Sequence, residues 1–138
     1  MRTALSFVLS LLLAACASTP VPTHEAQAVA PLTPTLATPR QGTGQIVVRT
    51  DKQNAILVDR TVPILVWVGG VKVAEFSGRE PEKVTVYLDP GDYPLRARFS
   101  PSMLGDAEAW STLRAGEVQV FRFSFVPGES PRLTRVQP

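Results

Sequence analysis

From Gly42 onward, hydrophobic and polar residues alternate with a period of two over most of the chain, the signature of half-buried strands. Gln45–Thr50 places Ile46 and Val48 on one face. Lys83–Leu88 turns Val84, Val86 and Leu88 one way and Lys83, Thr85 and Tyr87 the other. Tyr93–Phe99 sets Leu95, Ala97 and Phe99 against Arg96 and Arg98. Pro63–Val68 is instead a continuous apolar run, as expected of a strand covered on both faces, which puts Trp67 in the core. Gly69-Gly70 follows it and predicts a hairpin, because both positions tolerate positive φ, with Val71–Phe76 as the return strand. Further strands are predicted at Glu108–Leu113, at Glu117–Val126 and, opening on a proline that suits a sheet edge, at Pro131–Val136. Asp89-Pro90-Gly91-Asp92 reads as a type II turn with Gly91 at the position that needs positive φ, which makes Gly91→Val costly by about 1–3 kcal/mol. Ala55–Val58 fits either a short strand or an apolar loop tip. Seven or eight short strands with turn signals between them, and no amphipathic helix, predict an all-β fold. The expected form is a single antiparallel β-sandwich over residues 42–138.

The first 41 residues differ. Residues 17–41 are rich in Ala, Thr and Pro, with Pro20, Pro22, Pro31, Pro34 and Pro39 interrupting any helix, and predict a disordered to semi-extended tether. Fully extended as polyproline II, that stretch reaches roughly 80 Å. Before it, Arg2 forms a short positive region, and Ala4–Leu13 is apolar apart from Ser6 and Ser10. This run is too short to span a bilayer and fits a secretory signal over residues 1–15. Its ending, Leu13-Ala14-Ala15-Cys16, resembles the lipobox of bacterial lipoprotein precursors. The resemblance implies that Cys16 carries the lipid anchor after the preceding peptide is removed. Ala17 follows the cysteine in place of the aspartate that retains many enterobacterial lipoproteins in the inner membrane. Outer-membrane residence, with the domain in the periplasm, is therefore the expectation.

Composition narrows the chemistry. The chain has 138 residues and a formal charge of +2, from 14 Lys and Arg against 12 Asp and Glu. These charges are interspersed, and no run of cations marks a nucleic-acid or anionic-lipid footprint. Cys16 is the sole cysteine, so no disulfide framework is available even in an oxidising compartment.

Candidate reactive groups are sparse. His24 is the only histidine and lies in the tether, so neither a metal site nor a Ser/His/Asp constellation is expected, and no cofactor is implied. Glu80 with Glu82, and Asp89 with Asp92, are paired carboxylates whose simplest roles are turn formation and solubility. Arg96 and Arg98 share a strand face that Arg122 joins if its strand is adjacent. Such a face is either an anion or partner surface or a solvated sheet with cross-strand charge pairs. Phe121, Phe123 and Phe125 alternate on one side and predict core packing. Trp110, between Ala109 and Ser111, is the better tryptophan for an exposed contact.

Three stretches extend the reading: Ile46-Val47-Val48-Arg49, the hairpin Val66-Trp67-Val68-Gly69-Gly70-Val71-Lys72-Val73-Ala74, and Val86-Tyr87-Leu88-Asp89-Pro90-Gly91-Asp92-Tyr93-Pro94-Leu95-Arg96-Ala97. Together with the Ala115–Glu117 turn, they resemble a group of small proteobacterial lipoproteins of unknown function, some related to PEGA-type domains. Gly69 departs from the usual Asp or Asn of that hairpin, and the cysteines of some relatives are absent. The resemblance implies a β-sandwich on a lipid anchor and passes on no catalytic residue. The expected function is a non-enzymatic, protein-binding or structural accessory module of the cell envelope, its sheet edges open to an extended partner segment. The alternative is a module binding peptidoglycan or another polysaccharide, with Trp110, Tyr93 or Tyr87 stacking on sugars.

Overall fold

The computed structural model describes residues 26–51, 62–100 and 104–138. Cys16, His24 and the Ala55–Val58 run lie outside them. Among the described residues nine strands form: β1 (Gln27–Val29), β2 (Gly44–Thr50), β3 (Ile64–Val68), β4 (Val71–Phe76), β5 (Glu82–Leu88), β6 (Gly91–Phe99), β7 (Ala107–Leu113), β8 (Val118–Ser124) and β9 (Arg132–Val136). They build a sandwich of two sheets, ordered β1-β5-β2-β8-β9 and β4-β3-β6-β7. Every predicted strand within the described residues is present, with ends shifted by one or two residues.

The core between the sheets follows the predicted alternation. Ile46, Val48, Val84, Val86, Phe121 and Phe123 point inward from the five-stranded sheet and meet Ile64, Val66, Leu95, Ala97 and Phe99 of the other. Phe99 is the aromatic hub. Its ring lies 5.3 Å from those of Phe123 and Phe125, both edge-to-face, an arrangement favoured by the ring quadrupoles.

Four expectations change. The four-stranded sheet is antiparallel throughout, but the five-stranded sheet is mixed, because β2 pairs with β8, and β5 with β1, in parallel. The parallel β2–β8 pair arises because β7 ends in the opposite sheet and the chain crosses back, bringing β8 in beside β2 in the same direction. The Asp89–Asp92 segment is likewise a crossover from β5 to β6 and not a hairpin turn. Gly91 opens β6 with φ 159°, positive as expected but close to extended and far from the value of a type II turn. By contrast Gly69 and Gly70 have φ 60° and 80°, the hairpin predicted from their sequence.

Residues 26–41 are not a free tether. Gln27–Val29 runs along Glu82–Val84, the Gln27 N–H donates to the Pro81 carbonyl at 2.8 Å, and the Leu32 N–H donates to the Val73 carbonyl at 2.9 Å. Pro34–Leu36 forms one 3-10 turn, and Val29 and Leu36 pack against the core. Three strand residues followed by one turn carry no repeating period, so the alternation test does not register them.

Trp67, finally, is not in the core. Within β3, Ile64, Val66 and Val68 are buried, while Leu65 and Trp67 are half-buried on the outer face. An all-apolar run hides its own parity, and here the outer positions are covered by neighbouring side chains on a single sheet face.

Candidate functional site

The outer face of the four-stranded sheet collects the singled-out residues in cross-strand rows. In register, Lys72 of β4, Trp67 of β3, Arg96 of β6 and Glu108 of β7 lie side by side. Pro94 and Trp110 form the adjoining pair. The Arg96 guanidinium carbon sits 4.4 Å from the centroid of the Trp67 ring and that of Arg98 5.0 Å. Guanidinium cations over an indole face are attracted by its quadrupole, each worth about 0.5–1 kcal/mol at a partly exposed site. The stack holds two flexible arginines flat against the sheet. Arg96 also reaches Asp106, at 3.9 Å, rather than its register neighbour Glu108.

Beside this stack lies a shallow cleft of about 370 Å³ lined by Trp67, Gly70, Pro94, Arg96, Glu108 and Trp110, with Leu95 and Ala109 at its floor. Trp110 stands at the rim with 64% of its surface exposed, the most exposed large hydrophobic residue among those described. Its neighbour Pro94 adds rigid apolar surface without a backbone donor. The cleft therefore offers an aromatic ring, an apolar ledge, a carboxylate and a guanidinium within one small concavity.

The remaining candidates separate. Arg122 does not join Arg96 and Arg98, since β8 belongs to the other sheet. Three of the four paired carboxylates have structural partners of their own. Glu82 is buried and accepts from the backbone N–H and the hydroxyl of Ser77, which closes the 77–82 loop. Asp89 takes a contact of 3.4 Å from Arg40, and Asp92 accepts from the Thr112 hydroxyl at 2.8 Å. Tyr93 donates its hydroxyl to the Asp89 carbonyl at 2.5 Å. Burial first, then the Asp89 charge, raises its pKa above the ordinary phenol value. Its hydroxyl is thus spent within the crossover. Among the described residues no group of three or more His, Cys, Asp or Glu is placed to hold a metal ion, and no helix is long and apolar enough to cross a membrane.

A sheet-edge contact is also more restricted than the sequence suggests. On β7, the Thr112 backbone carbonyl accepts from the Gln119 side-chain Nε2 at 2.8 Å, while the Gln119 side-chain Oε1 accepts from the Ser111 hydroxyl at 2.6 Å. The β4 edge loses the Val73 carbonyl to Leu32. Sequence reasoning placed Trp110 correctly as exposed and missed Trp67 as the platform for Arg96 and Arg98. Only the β3–β6 register reveals that pairing.

No family model matches the chain, and no curated protein matches it. The likeness to PEGA-type domains accordingly rests on the turn and hairpin motifs quoted above and assigns no role to any residue.

Proposed function

We propose that this is a lipid-anchored lipoprotein of the outer membrane, attached through Cys16, whose periplasmic sandwich is a non-enzymatic protein-binding accessory module of the cell envelope. Its contact surface is the outer face of the four-stranded sheet. The observation that carries this reading is Trp110, held 64% exposed at the rim of the cleft beside the Arg96–Trp67–Arg98 stack. Exposed aromatic and arginine side chains around a small concavity are the residue types that dominate binding energy in protein interfaces. The glycan alternative draws on the same ring. It is the weaker reading, because both arginines already lie over the Trp67 face, leaving Trp110 as the only stacking surface of the cleft.

The experiment is a paired capture. Wild-type protein and Trp110→Ala are used to retain proteins from envelope extracts and are sedimented in parallel with purified cell-wall sacculi. The expected result is one defined envelope protein retained by wild type and lost with Trp110→Ala, with no difference in sedimentation. Sedimentation that depends on Trp110 would instead establish the glycan reading. The anchor is tested separately. Cys16→Ser should abolish labelling by a palmitate analogue and release the protein from membranes, and unchanged partitioning would overturn the assignment.

A further inference from the structure

On the opposite outer face, the parallel β2–β8 pair and the antiparallel β2–β5 pair set Arg49 directly between Lys83 and Arg122. With strands about 4.8 Å apart, three cations occupy one row about 10 Å long. Like charges placed opposite one another on a sheet repel. Little in the surroundings relieves this. Asp51 approaches the Arg122 Nε at 3.4 Å, but among the described residues neither Arg49 nor Lys83 forms an ion pair. The Nε atoms of Arg49 and Arg122 are closed off from water and make no hydrogen bond, so the Asp51 contact neutralises charge without satisfying the donor. Nor does an indole lie under this row, as Trp67 does under Arg96 and Arg98.

The row also has a particular place in the molecule. Lys83 is the register partner of Ala28, and the Gln27 N–H is bound to Pro81, so the chain leading back to Cys16 leaves from this end of this sheet. Nine residues lie between Cys16 and Ala26. They span at most about 35 Å even when fully extended. We propose that Lys83, Arg49 and Arg122 form a seat for the phosphate groups of the bilayer surface to which the protein is anchored. The inference rests on the anchor at Cys16 for its geometry, while the binding chemistry belongs to the row itself. Guanidinium and ammonium groups at this spacing suit adjacent phosphate oxygens, with the arginines able to engage them in a forked geometry. Each cation near an anionic surface raises partitioning about five-fold.

The test uses the chain from residue 16 onward with Cys16→Ser, which keeps every described strand and removes both the expected signal and the expected site of acylation. It is sedimented with vesicles of phosphatidylcholine alone, or of phosphatidylcholine with phosphatidylglycerol. Preferential binding to the anionic vesicles, weakened by salt, is expected. Arg49→Gln combined with Lys83→Gln should lower it at least ten-fold, whereas Lys72→Gln on the other sheet should change it less than two-fold. The melting temperature of the double variant should equal or exceed that of wild type, since a repulsive row has been removed. Equal binding to both vesicle types would overturn the proposal, as would an equal loss from Lys72→Gln or capture of a phosphopeptide without any preference for anionic vesicles. Because this chain cannot be acylated, such failures leave the palmitate-labelling test of the anchor unaffected.

Discussion

The two outer faces of this sandwich use arginine in opposite ways. On the four-stranded sheet, Arg96 and Arg98 lie over Trp67, and Asp106 and Glu108 supply nearby negative charge. On the five-stranded sheet, Arg49 is flanked by two further cations, and among the described residues a single carboxylate, Asp51, stands against Arg122. The first arrangement compensates its charges within the molecule and leaves Trp110 as the exposed feature. The second, among the described residues, leaves Arg49 and Lys83 without an ion-pair partner, which is why the proposed seat for phosphate lies there. The same residue type is therefore stacked on an indole on one side and set in a like-charge row on the other, and the neighbours across the strands decide which.

The largest effect is expected from removing what both faces share. Phe99→Ala takes away the ring that meets Phe123 and Phe125 between the sheets and should cost about 3–5 kcal/mol, read by chemical denaturation. Both faces should fail together, and loss of binding on one alone would show that they are not coupled through the core. Next, Trp67→Ala removes the platform of the four-stranded face and with it two cation–π contacts. A loss of about 1–2 kcal/mol is expected, with Trp110-dependent capture falling as the arginines loosen. Arg49→Gln should move stability the other way, by a gain of a few tenths to about 1 kcal/mol, because it relieves a like-charge row. A destabilisation of similar size would mean that the row is internally compensated and would erase the contrast. The smallest effect concerns Tyr93 at the crossover between the sheets. Its pKa is raised in the folded state, so the stability it contributes is complete below the ordinary phenol value and declines as pH rises through the raised one. Absorbance titration should show one alkaline step, above the ordinary phenol range, that is missing in Tyr93→Phe.

How far all this was legible in the sequence depended on which property was asked for. Strands with one wet face declared themselves, because Val84, Val86 and Leu95, Ala97 alternate with polar partners, and all of these pack in the core or against it. The Gly69-Gly70 turn was equally plain, since its two positive φ values are what those residues permit at least cost. What depended on register was hidden. Trp67 gave no parity of its own in an all-apolar run. Arg122 carried no sign of which sheet would receive it. The cationic row combines residues 49, 83 and 122, so no local run of charge announces it. Trp110 could be placed because it alternates with the small residues Ala109 and Ser111, which turn inward, and that parity needs no knowledge of any other strand. The cleft beside it could not, as its walls come from three strands and a hairpin.

The seating of Gln27–Val29 on the edge of β5 gives the domain a mechanical weak point at a defined place. Any tension that reaches the sandwich along its N-terminal chain arrives first at a three-residue strand on the outside of the sheet, held by one neighbour. Such a strand detaches at a lower force than β2 or β8, which are bonded on both sides. Its detachment would free residues 26–31, adding up to about 20 Å of slack before the Leu32–Val73 hydrogen bond takes the load, while the core strands stayed closed. Gln27–Val29 would then serve as a breakaway link, lengthening the connection under load and resetting when the load is removed.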